Sequence, residues 1–140
     1  MTGITETELT LSGRDRLLSQ QDAWPRTFRQ ARHIPAVEYL QANRIRLRLM
    51  QEMEALMSEV DVVVLPNGPA PPHTPVGRII PLTNMTGHPI VVVPNGLGAN
   101  GVPTGVGFLG RLYDEGVILA LAKRYQDQTG FHLTRPPLTD

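Results

Sequence analysis

From Pro35 to about Glu59 the chain holds no glycine and no further proline, and its apolar residues fall where one face of a helix would place them. Val37, Leu40, Ile45, Leu49, Met53, Leu56 and Val60 recur at spacings of three to five, with Arg44, Arg46, Arg48, Glu52 and Glu54 between them. Pro35 suits a first helical turn, where its missing N–H is not needed. This pattern predicts a long amphipathic helix. The late cluster of Glu52, Glu54 and Glu59 opposes the helix dipole, so packing has to outweigh that small unfavourable term.

After Asp61 the period changes. Val62-Val63-Val64-Leu65 is an unalternated apolar run stopped by Pro66, and Ile90-Val91-Val92-Val93 repeats it between Pro89 and Pro94. Such runs predict strands buried on both faces. The stretch from Pro66 to Pro89 between them reads as a long proline- and glycine-rich crossing. Thr104 to Leu109 predicts a third strand, with Val106 and Phe108 on one face and Gly105 and Gly107 on the other. Paired glycines on one face imply that another backbone or a ligand comes close there. Asp114 is placed to cap a second helix whose apolar stripe is Val117, Ile118, Leu121, Ala122 and Tyr125, and Gly130 is placed to end it. The order helix, strand, long loop, strand, loop, strand, helix is an α/β pattern.

The first residues give a weaker pattern. Met1 to Gly13 carries only Ile4, Leu9 and Leu11 as aliphatic positions beyond Met1, so residues 1–23 are expected to be loosely ordered, with 24–140 forming one partial domain. Ser12 followed by Asp15 fits the cap of a short helix carrying Leu17 and Leu18. Trp24-Pro25 is expected to end that element, and Phe28 and Ala31 to mark another helical turn or two.

Composition narrows the function classes. The chain has 140 residues and a formal net charge of zero, which disfavours nucleic acid or an anionic membrane surface as a partner. Twelve arginines against one lysine are spread along the chain and matched by 13 acidic residues, as on a solvated surface. There is no cysteine, which removes disulfides, thiolate catalysis and zinc–thiolate sites together. No secretory signal pattern and no apolar run near the ~20 residues of a bilayer span is present, so the cytoplasm is the expected compartment.

Candidate chemistry is sparse. The serines are Ser12, Ser19 and Ser58, each isolated and none in a glycine-rich loop, and the sole lysine, Lys123, sits on the polar side of the last helix. His33, His73, His88 and His132 show no pair at metal-ligand spacing. No G-x-S-x-G turn exists. His88, between Gly87 and Pro89, feeds a buried strand and is read either as a packing residue or as a substrate contact. Asp61 is read as the hydrogen-bonding end of a helix–strand turn, or as a buried base. The Asn84 to Pro89 turn is the best candidate for proximity to a site, because Asn and Thr side chains brace backbone and Gly87 permits close approach. A purely structural turn is the competing reading.

Three stretches in order resemble the amidase signature family. The first runs from Tyr39 and Arg44 on the helix into Asp61-Val62-Val63-Val64-Leu65-Pro66. The second is Leu82-Thr83-Asn84-Met85-Thr86-Gly87-His88-Pro89, leading into Ile90 to Gly96. The third is Gly101-Val102-Pro103-Thr104-Gly105, followed by Gly110-Arg111-Leu112-Tyr113-Asp114-Glu115 and the closing helix. The resemblance covers roughly Trp24 to Leu138 and is greatest to bacterial amidases related to the amidotransferase A subunit. It implies the C-terminal portion of a mixed β-sheet flanked by helices, here about three strands and two long helices. It also implies amide hydrolysis by a Ser–cis-Ser–Lys triad with no metal or organic cofactor. In that chemistry a second serine relays the nucleophile's proton to a neutral lysine. The family's serines lie in a Gly/Ser-rich loop that has no counterpart in this sequence, and no Ser-Ser pair occurs. Catalytic residues are therefore expected to be absent from the chain, and Asn84, Thr86, Gly87, His88 and Gly105 are candidate pocket residues. Asn67 stands where relatives often have Thr or Ser, and Gly107 where many carry Gln.

The expected function is thus a C-terminal amidase fragment, inactive alone. The alternative is a non-catalytic subunit or binding module that completes an amidase with a separately encoded N-terminal chain. Its substrate would be a small-molecule amide, bound only once the chain is so completed, with a partner chain or self-association expected. Leaving one sheet face uncovered would expose about four of eight strand side chains, at roughly 2 kcal/mol each.

Overall fold

The computed structural model of the protein describes residues 6–21, 23–67, 79–99 and 101–135. The start of the chain, most of the proline-rich crossing with His73, and the tail from Pro136 lie outside the described residues. The chain divides into two compact units, Met1–Arg44 and Ile45–Asp140.

The first unit holds α1 (Glu6–Leu11), a 3₁₀ turn at Arg14–Leu17, α2 (Ala23–Ala31) and the start of α3 (Ala36–Glu59). Ser12 does not cap a following helix. Its hydroxyl donates back to the Leu9 carbonyl at 3.2 Å, and Gly13 in the left-handed region (φ 70°) separates α1 from the 3₁₀ turn. Asp15 is buried and receives the Arg29 guanidinium from α2. Gln21 Nε2 donates to the carbonyls of Asp15 and Leu18 at 3.0 and 2.9 Å. Pro25 opens α2 rather than ending an element. It lies in the first turn, where backbone N–H groups have no intrahelical acceptor to lose.

In the second unit a sheet of order β1-β3-β2 is formed by β1 (Val62–Asn67), β2 (Ile90–Leu97) and β3 (Pro103–Gly110). Both pairings are antiparallel, with Val64 opposite Phe108 and Val91 opposite the same residue on the other side. The expected three strands and two long helices are present, the second being α5 (Glu115–Thr129). Gly130 ends α5 as the sequence predicts, at φ 65° with its N–H on the Gln126 carbonyl at 2.9 Å.

The pleat sorts side chains into two cores. On one face Val93 and Phe108 pack with Ile118 and Ala122 of α5, joined by Val62, Val91, Val106 and Tyr125. Tyr125 meets Phe108 edge-on with centroids 5.6 Å apart, a favoured aromatic geometry, and its hydroxyl bonds Asn95 Oδ1. On the other face Leu109 packs with Met53 and Met57 of α3, joined by Val63, Leu65, Ile90 and Leu82. Leu82 belongs to α4 (Ile79–Thr86).

Two arginines tie the α3 layer together. Arg111 Nε donates to the Met57 carbonyl at 2.9 Å, while its NH2 group reaches the Val60 carbonyl and Asp61 Oδ1 at 3.3 and 3.1 Å. A cation thus sits at the C-terminal end of α3, which has no basic residue of its own in the last turn. Arg46 Nε likewise donates to the Met85 carbonyl at the end of α4, at 2.6 Å.

The apolar stripe of α3 is covered only in part. Met53 and Met57 are buried, whereas Ile45, Leu56 and Val60 of the same unit remain 65%, 46% and 37% exposed. Val64 on β1 and Val92 on β2 are also exposed, so the two apolar runs are not buried on both faces throughout.

Candidate functional site

The residues from Asn84 to His88 do not form a free-standing turn. Asn84 and Thr86 lie in the last turn of α4, and Gly87 is the residue that stops it. Gly87 has φ 80°, and its N–H bonds the Thr83 carbonyl at 2.8 Å, closing the helix in the left-handed cap that glycine favours. A Cβ built there would meet only Leu112 Cδ2, at 3.7 Å, so conformation rather than space selects glycine. Thr86 is completely buried and its hydroxyl donates to the Leu82 carbonyl at 3.0 Å. Asn84 is exposed.

His88 is the unusual group. It is 3% exposed, and among the described residues neither Nδ1 nor Nε2 has a hydrogen-bond partner. A buried imidazole carries a donor and an acceptor in either neutral tautomer, and each left unmade costs about 1–3 kcal/mol. Buried polar groups are as a rule hydrogen-bonded, so His88 stands out among the buried side chains described.

Gly105 belongs to a second neighbourhood. An open cleft of about 430 Å³ is lined by Asn67, Val92, Val93, Pro94, Pro103, Thr104 and Gly105. Its floor is apolar, with the Asn67 amide at one side. The Thr104 hydroxyl is turned to the Asn95 and Gly96 carbonyls, 3.1 Å from each. The glycines of β3 are occupied by their neighbours. A Cβ on Gly105 would lie 3.2 Å from Val92 Cγ1 and 3.3 Å from Asn67 Nδ2, and one on Gly107 3.0 Å from Ile90 Cδ1. The close approach that the sequence implies is made by β2 side chains, by the Asn67 side chain, and by the β1 backbone, whose Asn67 and Leu65 carbonyl oxygens lie 3.3 and 3.6 Å from the Cβ positions of Gly105 and Gly107. Gly105 and the His88 turn are not brought together. Leu109 pairs with Ile90 beside His88, and Gly105 stands four residues along β3 from it, about 13 Å at strand rise.

Ser12 and Ser58 donate to helix carbonyls, the latter to Ala55 at 2.6 Å. Lys123 is on the exposed side of α5, paired with Asp127 at 2.6 Å, and Ser58 is on α3 across the sheet. Among the described residues no group of three or more His, Asp or Glu side chains could hold a metal ion. No described helix is long and apolar enough to cross a membrane.

Comparison with known proteins bears on this arrangement. AmiD of Mycobacterium tuberculosis, which carries the name of an amidase, is 31% identical over 120 aligned positions covering 75% of this chain. The A subunit of the glutamyl-tRNA(Gln) amidotransferase of Synechococcus is 32% identical over 111 positions covering 71%. The chain is related to the amidase signature family. No family model matches it. It spans only about a quarter of the length of these curated relatives, 25% and 22% respectively. Among solved structures, an amidase family protein from Bacillus anthracis superposes with a TM-score of 0.68 at 18% identity, over 96% of this chain and 26% of its own. A chain from a vestigial complex bearing on the origins of an s-triazine catabolic enzyme gives 0.70 at 20%, over 89% and 31%. The α/β arrangement described above is thus part of the amidase-signature fold.

Sequence reasoning had no signal for α4 as a helix, nor for the crossings made by Arg46 and Arg111. Pro81 and the polar Thr83-Asn84 pair hide the helical spacing of Ile79, Leu82 and Thr86. Gly87 was the visible clue, since a glycine after such a segment is a helix stop as readily as a turn.

Proposed function

We propose that this chain forms the C-terminal portion of an amidase-signature amide hydrolase and carries none of the Ser–Ser–Lys triad itself. The observation that carries the reading is the mismatch of coverage: three-quarters of this chain aligns with a quarter of AmiD. The placement of the few serines and of Lys123 agrees with it, because Ser58 and Lys123 stand on opposite sides of the sheet with ordinary helical partners. The role of the chain is then to supply sheet, helices and part of the pocket wall. Asn84, Thr86, Gly87 and His88 form one stretch of that wall and Gly105 another. The catalytic loop comes from polypeptide outside this sequence, and the substrate is a small amide. The cytoplasm is the expected compartment.

The second reading is a binding module that keeps a pocket without catalysis, favoured by the apolar cleft over Gly105. Hydrolysis of a broad fluorogenic amide and ester panel by the purified chain, beside Lys123→Ala, tests the main reading. No turnover by either protein is expected. Turnover that disappears in Lys123→Ala would overturn it. Saturable binding of a small amide or carboxylate without turnover would favour the binding module.

A further inference from the structure

Beside the face of α3 that covers the sheet, marked by buried Met53 and Met57, the helix carries a second line of residues. Ile45, Leu49, Glu52 and Leu56 recur at spacings of four, three and four, the period that aligns side chains into a helix–helix seam. Ile45 and Leu56 at the two ends are exposed, and Leu49 is half-buried. Charge changes sign along the same stretch. Arg46 and Arg48 come first, and Glu52, Glu54 and Glu59 follow. Arg46 is engaged by the Met85 carbonyl. Arg48 and Glu52 are exposed, and neither enters an ion pair among the described residues.

A helix whose charge reverses along its length complements a second copy of itself running the other way. A two-fold axis between Met50 and Gln51 sets Ile45 level with Leu56 of the second copy and Leu49 level with Glu52. It also brings Arg48 within one residue, about 1.5 Å along the axis, of Glu52 of the second copy. Symmetry makes each contact twice. Two parallel copies would instead set Arg48 beside Arg48 and Glu52 beside Glu52. The exposed line on α5 is less suited: Val117 and Leu121 continue into Arg124 and Gln128, with no acid on that line to meet the arginine.

We propose that the Ile45–Leu56 flank of α3 joins two copies of this chain as an antiparallel helix pair. Ile45 packs on Leu56 across the two-fold axis, and Arg48 pairs with Glu52. The inference concerns the chain by itself and does not depend on the reading of it as part of an amide hydrolase. The seam covers little more than three helical turns, so the association is weak and reversible on dilution.

Sedimentation velocity of the purified chain over a concentration series is expected to show monomers converting to dimers. Arg48→Glu and Glu52→Arg should each weaken self-association about tenfold or more, because each sets like charges side by side. Mixed in equal amounts, those two variants should form a heterodimer as tight as the parent dimer, since both pairs are restored with their signs exchanged. Leu119→Glu, on an exposed position of α5, should change nothing. Direction is read from engineered cysteines, of which the chain has none of its own. Ile45→Cys combined with Leu56→Cys should cross-link copies on oxidation. Ile45→Cys alone, about 16 Å from its symmetry mate along the pair, should not. A monomer at every concentration overturns the proposal and leaves this flank to another polypeptide. It is equally overturned by a mixture no tighter than either variant alone, by loss of the dimer in Leu119→Glu, or by Ile45→Cys cross-linking as readily as the double variant.

Discussion

Arg111 offers a direct measure of how α3 is held to the sheet, because its three contacts differ in kind. Nε reaches the Met57 carbonyl at 2.9 Å in a part-buried position, NH2 reaches the Val60 carbonyl at 3.3 Å, and the Asp61 carboxylate is 3.1 Å away. The Asp61 side chain is 86% exposed, so water screens that pair and its net worth is about 0–1 kcal/mol. A charged donor on a carbonyl contributes about 1.5–3 kcal/mol where water cannot replace it. The Arg111 side chain is 44% exposed, which puts the two carbonyl bonds together nearer about 2 kcal/mol. Arg111→Ala should therefore lower unfolding free energy by about 2 kcal/mol, and Asp61→Ala by no more than about 0.5 kcal/mol. Urea denaturation followed by circular dichroism gives both values on one footing, provided the slope stays constant. Equal losses in the two variants would refute the reasoning, since the ion pair would then carry what is assigned here to the helix end.

Gly87→Ala should cost about 1–2 kcal/mol in a thermal melt, because φ 80° is strained for an L side chain although Leu112 leaves room, and Gly87→Asn should recover part of it. Gly110→Ala should cost about 1–3 kcal/mol through overpacking. Its Cβ would lie 2.6 Å from Ile118 Cγ2, and combination with Ile118→Ala should cost less than the sum of the two. His88→Leu should raise the midpoint of the chain by removing two unmade hydrogen bonds at similar volume; a lowered midpoint would show that the imidazole has partners after all.

Much of this fold was legible because its two long helices and three strands are long or strongly patterned. Pro35 and Gly130 stand at the start of α3 and the end of α5 as the sequence predicts. The shortfall has physical causes. Apolar spacing on α3 marks which residues need cover, not what supplies it. Ile45 and Leu56 share the stripe with Met53 yet are exposed in this chain. The glycines of β3 announced a close approach, but its source depends on the register with β2, and no local pattern reveals register. The same holds for the pocket candidates. Thr86, Gly87 and His88 adjoin because they are consecutive, whereas Gly105 is set apart by strand geometry. Buried His88 could be singled out from its place before a strand, but its lack of partners among the described residues could be seen only in three dimensions.

The lean of the β2 side chains also makes the β2–β3 pairing work as a ratchet. Ile90 stands opposite Leu109 but inclines over Gly107, and Val92 stands opposite Gly107 but inclines over Gly105. A slip of two residues keeps every side chain on its proper face, so face selection alone would tolerate it. In one direction the slip carries Val92 onto Pro103 and leaves the hollow at Gly107 empty. In the other it drives Ile90 into Leu109. Either error forfeits contacts at two positions, and the hollows of β3 thereby allow one alignment during assembly.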